Sequence, residues 1–256
     1  TLSSALNIGG TLSTASGISL IINGAFNTSV AGLTISSGNL SGTSTVVFNG
    51  TGTWNHTSTG TISNNITINT AGTLTLGSLQ FINAQTVTYT AGTLVTAGST
   101  LRIYGNATLN TNGMTWATVS IQDVTSSVTL SSLFSATTLN LSGNFTTTFA
   151  GASGYSVGTL NMTGGTSQLM YLTSGTTYAV ITALNAVSGG RIYGTVASSY
   201  AFFNLSPSAS QAVGNIIAQD INSSGGQTII DIGGTLTRTI NWILTAGGTV
   251  GFAYCS

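Results

Sequence analysis

At 256 residues the chain is long enough to bury a sizeable core, and 41% of it is apolar. Charged residues make up only 2%, with no Lys and no Glu, against about 25% in an average globular domain. Zero net charge argues against nucleic acid and against an anionic membrane surface, since both are held through Lys and Arg. It also lacks the charge-rich, apolar-poor signature of a disordered chain.

The polar surface has to be built from Thr, Ser, Asn and Gly. That suits strands and corners, because Thr fits a pleated surface and Gly and Asn turn. The chain opens at Thr1 without an initiator Met or a signal peptide, which reads as a mature or excised segment. From Thr1 to about Asn55 it shows short apolar runs between Gly/Ser/Asn corners: Gly10-Thr11-Leu12-Ser13, Ile18-Ser19-Leu20-Ile21-Ile22, Gly32-Leu33-Thr34-Ile35 and Thr45-Val46-Val47-Phe48. None approaches the ~18 residues of a membrane span, so no membrane insertion is expected.

The clearest repeat follows. Ile66-Thr67-Ile68-Asn69-Thr70-Ala71-Gly72-Thr73-Leu74 returns as Val87-Thr88-Tyr89-Thr90-Ala91-Gly92-Thr93-Leu94. Apolar residues at every second position predict a strand with one buried face, and Ala-Gly supplies a corner. Leu12 and Leu33 lie 21 residues apart, as do Ile66 and Val87, while Val119, Leu139 and Leu160 follow at 20 and 21. A strand–corner–strand unit at that period predicts an all-β fold, a parallel β-solenoid or β-helix with rungs of about 20 residues. A longer echo of 54–55 residues overlies it, matching Thr45–Asn55 to Thr100–Asn110. The best helix candidate is Ala179–Ala186, and Pro207 marks a loop. The repeat loosens after about Tyr171, so the chain divides into a repetitive solenoid over 1–170 and a less regular β region over 171–256. The latter is read as a cap, a small β-domain or an oligomer contact.

The chain has few groups for acid–base or metal chemistry. Asp220 and Asp231 would serve a glycosidase only if they converge; otherwise each caps a turn or pairs with an Arg. Asp123 with Arg102 reads as a local pair, and His56 has no second His or Cys with which to share a metal. No catalytic residue, cofactor or metal site is expected. Cys255, the one cysteine, reads as an inert thiol near the chain end or an intermolecular disulfide. Asn-x-Ser/Thr acceptors for glycosylation occur at Asn27, Asn39, Asn49, Asn55, Asn65, Asn106, Asn140, Asn144, Asn161, Asn204 and Asn222. Thr-x-Thr recurs, for example at Thr51/Thr53, Thr73/Thr75, Thr86/Thr88/Thr90 and Thr235/Thr237/Thr239, without a single sequence period. Trp54 and Trp116 are read as core; Trp242 is left between core and surface.

With its Gly-Thr-Leu-x-Leu and Thr-x-Gly-x-Thr echoes, the chain over most of 1–170 resembles the Ser/Thr/Gly/Asn-rich β-solenoid segments of phage tail fibres and bacterial surface adhesins. The resemblance implies an extracellular, cell-surface or virion-borne fibre that is often oligomeric, and it transfers no functional residue. Tailspike enzymes on this fold resemble one another in their acidic clusters; here there are three scattered Asp. The expectation is therefore a structural and adhesive fibre protein, a homo-oligomer or filament, with a cell-surface glycan as a candidate partner. Alternatives are a glycan- or ice-binding module whose Thr ranks resemble antifreeze faces, and, behind it, a glycan-degrading enzyme.

Overall fold

The computed structural model describes residues 5–23, 27–83, 85–122, 127–131, 133–143, 146–150, 155–165, 167–187 and 189–245. Among them every helix or strand element is a strand, and the chain winds as a parallel β-solenoid of about ten turns with rungs of roughly 21 residues. Each turn carries three runs of strand. In the first run, Val46, Ile66, Val87, Leu109, Leu130, Phe149 and Leu172 stack in one inward column. The second run stacks Leu12, Leu33, Trp54 and Leu76. The third stacks Leu101, Val119, Leu139, Leu160 and Leu184. Nearly all of these are fully buried, so one continuous apolar column runs along the axis. Each buried Leu or Ile contributes roughly 2 kcal/mol from burial. Small two-stranded sheets accompany the main ladder: Leu20–Ile21 with Leu40–Ser41 near the start, and Ile229–Ile232 with Trp242–Thr245 near the end.

The three runs look alike in sequence, and that explains the 54–55-residue echo. Val46–Phe48 lies in the first run, paired with Thr28–Ile35 and Ile66–Leu76. Its echo, Thr100–Tyr104, lies in the third run, paired with Leu79–Asn83 and Thr115–Ile121. The echo thus spans roughly two and two-thirds turns and moves a motif to a different side of the solenoid. It does not mark a duplicated unit.

The Ala-Gly corners fall inside continuous strands. Ile66–Leu76 bends between Asn69 and Thr73, where its register against Thr86–Val95 shifts. Thr70 Oγ1 donates to Gly50 O at 3.0 Å and accepts from Gly72 N at 2.9 Å, tying the corner to the turn beneath. Gly92, at φ +119°, has its Cα so close to Thr70 that a Cβ would stand 2.5 Å from Cγ2. Other corners are closed by side-chain amides. Gln80 Nε2 donates to Trp54 O and Gly77 O, and Gln227 Nε2 to Ser206 O and Ala209 O. Pro207 sits, as expected, in a turn, closed by Ala209 N donating to Ser206 O at 2.9 Å.

The helix reading of Ala179–Ala186 is wrong: these residues belong to the strand Thr177–Ala186. Tyr178 and Val180 face inward, and so do Leu184 and Ala186. An extra residue at the register shift, where Val180 pairs with Val157 but Ala183 with Thr159, sets Val180 and Leu184 four positions apart. That bulge imitates helical spacing. The main ladder also runs on past residue 170. Leu169–Leu172 pairs with Thr146–Ala150 below and Gly190–Gly194 above, and the series reaches Thr235–Ile240.

Candidate functional site

The few ionisable side chains separate into distinct settings. Asp220, buried and held at φ +57°, accepts from Arg238 Nε and Nη2, from Ser198 N at 3.2 Å and from Gln219 Nε2 at 3.2 Å. The Arg238 hydrogen bond is the main cause of its lowered pKa, overcoming burial. Asp231 is buried elsewhere, where Oδ1 accepts from Ile216 N at 3.3 Å and Oδ2 has no partner. Burial pushes its pKa up. The two carboxyls have separate hydrogen-bond partners. Asp220 pairs with an Arg, one of the two bland readings the sequence allows.

His56 is enclosed in a run of rings. Phe48, Trp54, His56, Phe81 and Tyr104 contact one another in series, with centroids 5.4–6.5 Å apart, and Arg102 Cζ stands 5.4 Å above Phe81. Trp54 Nε1 donates to His56 Nε2 at 3.2 Å, while His56 Nδ1 donates to Gly60 O at 2.7 Å. Both ring nitrogens are committed to the neutral form, and burial drives the pKa down to about 4. Among the described residues no group of three His, Cys, Asp or Glu is placed to hold a metal. Asp123, the expected partner of Arg102, lies outside the described residues, as do Cys255 and Asn144. Trp54 and Trp116 are fully buried, as their sequence setting implies. Trp242 is half-buried against the core, with Nε1 donating to Ser223 Oγ at 2.8 Å.

The sequon asparagines divide by role. Asn39, Asn65 and Asn106 are exposed, and each Oδ1 accepts a backbone N–H from the next turn, from Thr61, Thr86 and Ser127 respectively, at 2.7–3.1 Å. They fasten corners. Asn27 and Asn49 are exposed, while Asn55, Asn204 and Asn222 are half-buried. Asn140 and Asn161 belong to a ladder that the sequence did not reveal: Asn161 Nδ2 donates to Asn140 Oδ1, and Asn185 Nδ2 to Asn161 Oδ1, both at 2.7 Å. Asn185 is not a sequon residue, so only the strand register exposes its role.

The outward faces carry ordered hydroxyl columns that sequence spacing conceals. In the first run, Thr86, Thr108, Thr129 and Thr148 stand in register on consecutive turns. In the third, Thr100, Thr118, Thr138 and Thr159 do the same. Neighbouring strands stand about 4.8 Å apart, so each column is a row of hydroxyls at that repeat. A shallow polar groove of about 330 Å³ lies along the first, lined by Asn65, Gln85, Thr86, Asn106, Thr108 and Thr129. At the start of the solenoid a wider apolar hollow is lined by Leu6, Ile8, Leu12, Leu20, Ile21 and Ile22. No helix among the described residues is long and apolar enough to cross a membrane. The chain matches no protein family, no curated protein and no solved structure.

Proposed function

We propose that the chain is a structural, adhesive fibre segment, extracellular or virion-borne, that associates head to tail through its solenoid ends and displays an uncharged surface. The observation that carries this reading is the contrast between sides and ends. Along the sides the inner strands of the first run, among the described residues, are paired above and below. At the start, the strand Leu6–Thr14 pairs only with Thr28–Ile35 among the described residues and borders the apolar hollow. At the other end the strand Thr235–Ile240 pairs only with Ile216–Asn222 among the described residues, its Leu236 is only partly buried against the core, and Leu244 on Trp242–Thr245 is exposed. An open strand edge templates another strand, and an apolar end on each side makes a contact that repeats without closing. With no net charge, copies do not repel. About ten turns at about 4.8 Å each give a rod close to 50 Å long.

The reading includes no catalysis; what supports that is the commitment of Asp220, through both carboxylate oxygens, to Arg238. A second reading, a glycan- or ice-binding module, is favoured by the in-register Thr86, Thr108, Thr129 and Thr148 column. Electron microscopy of the purified chain, with sedimentation across a concentration series, tests the first. Filaments or end-to-end oligomers are expected, and monomers at every concentration would refute it. Ice-recrystallisation assays on the same sample test the ice reading.

A further inference from the structure

The first outward column changes character after Thr148. Its next members in register are Tyr171 and Tyr193, followed by Gln219 and Thr237. Two residues back on the same strands runs a parallel outward column: Ser127, Thr146, Leu169, Arg191, Ile217 and Thr235. Between the two columns Met170, Ile192 and Ala218 point inward and are buried. The strand pleat therefore sends Tyr171, Tyr193, Arg191 and Gln219 out on one side together.

This patch differs in chemistry from the rest of the face. The two tyrosine rings meet edge to face at 6.2 Å and 68° and are half-buried. Arg191 is exposed, and its neighbours in the same column are Leu169 and Ile217. The salt bridge among the described residues joins Arg238 to Asp220, so no described carboxylate neutralises Arg191. Neither column contains an Asp. Gln219 has its amide oriented by the Nε2 bond to Asp220 Oδ2.

We propose that this face is a binding site for a carboxylated glycan, a polymer bearing uronic or sialic acid units. Charge complementarity selects the acid: an exposed guanidinium that no described carboxylate pairs with presents a planar fork of donors that matches a carboxylate. The tyrosines select the sugar, because the C–H face of a pyranose stacks on an aromatic ring and leaves the ring hydroxyls for neighbouring polar groups. Thr148 on one side and Gln219 and Thr237 on the other supply those groups at the strand repeat, which favours an extended chain lying along the solenoid axis. The site deepens the adhesive half of the function proposed above, and rests on it.

The test is binding of the native chain to immobilised uronic- and sialic-acid glycans, to the same glycans as methyl esters, and to a Glu-rich peptide. Two variants accompany it: Arg191→Gln, and the double change Tyr171→Thr with Tyr193→Thr. The second continues the threonine column of the earlier turns, so melting temperature is expected to hold. Binding to the free-acid glycans is expected, weakened about tenfold or more by esterification or by Arg191→Gln, as loss of a charged hydrogen bond implies. The double variant is expected to lose binding. Failure to bind any acidic glycan, binding undiminished in Arg191→Gln, or equal binding of the Glu-rich peptide would each overturn the site. Filament formation, scored on the same variants by electron microscopy, is expected to be unchanged. If native filaments are absent, self-assembly falls while the glycan result stands.

Discussion

Acid should weaken this solenoid through His56 before its carboxylates titrate fully. The unfolded imidazole has a pKa near 6.5, the folded one about 4, because the ring is buried and Nε2 already accepts from Trp54. Between these values the unfolded chain binds a proton that the folded chain refuses, so stability falls as pH drops through this window. A shift of that size corresponds to about 3 kcal/mol, complete once the pH passes below the folded value. The groups packed around the ring are Trp54, Phe81 and the Gly60 carbonyl, with Arg102 beyond Phe81; none is an acid that would hold the imidazolium in place. Denaturant unfolding of the native chain and of His56→Gln, from about pH 7 down to about pH 4, reads the effect. Gln retains an acceptor for Trp54 and a donor for Gly60 but does not titrate. Asp220 and Asp231 titrate in both proteins and cancel in the difference. The native chain is expected to lose about 3 kcal/mol more than the variant over that range. Parallel losses would refute the argument.

Further consequences follow from the same contacts. Trp54→Phe keeps most of the packing but removes the N–H donated to neutral His56, so the folded imidazole protonates more readily and the variant is expected to lose less stability between about pH 7 and about pH 4 than the native chain in the same unfolding assay. Asp231→Asn removes a buried acid whose pKa burial has raised and whose Oδ2 lacks a partner. Because a raised carboxyl pKa means stability gained as pH falls toward the unfolded value, the native chain is handicapped near neutrality. The variant is expected to melt higher at pH 7, by about 1 kcal/mol, with that gain shrinking in acid. Gly92→Ala forces a Cβ into a positive-φ position against Thr70 and is expected to cost about 1–3 kcal/mol, read from the denaturation midpoint.

What the sequence revealed and what it hid have separate physical origins. Alternation of apolar residues with Thr reports which way each strand faces, and that local signal survives the loss of all three-dimensional context. It therefore exposed the strands, the rung length and the burial of Trp54. Register between turns is a different kind of fact, because it depends on how many residues each corner absorbs. Thr86, Thr108, Thr129 and Thr148 form one column although their spacings are 22, 21 and 19. A search for a fixed period dismisses them. The Asn140–Asn161–Asn185 ladder is hidden in the same way, with the bulge near Val180 lengthening its last step. Likewise Arg191 and Tyr193 look like scattered residues until the ladder places Tyr171 beside them. Asp231 was hidden by another cause: on Ile229–Ile232 it is Ile229 and Asp231 that face inward while Ile230 and Ile232 face out, the reverse of what the apolar alternation suggests.

The two proposed activities differ in their dominant force, and salt separates them. The ends that would meet in a filament are Leu and Ile side chains with strand edges. The charged side chain on the last ladder strand, Arg238, is already paired with Asp220, so sodium chloride at moderate strength should leave filament length unchanged. Sulfate, which is excluded from protein surfaces and strengthens apolar burial, should lengthen filaments. The glycan face depends on one guanidinium exposed to solvent, an interaction that falls as the Debye length contracts. Raising sodium chloride should therefore release an acidic glycan while filaments persist, as followed by light scattering and glycan retention in one titration. If chloride dissolves the filaments, the ends associate through charges that the Leu and Ile surfaces do not explain. If the glycan stays bound at high salt, stacking on Tyr171 and Tyr193 holds it and Arg191 contributes little.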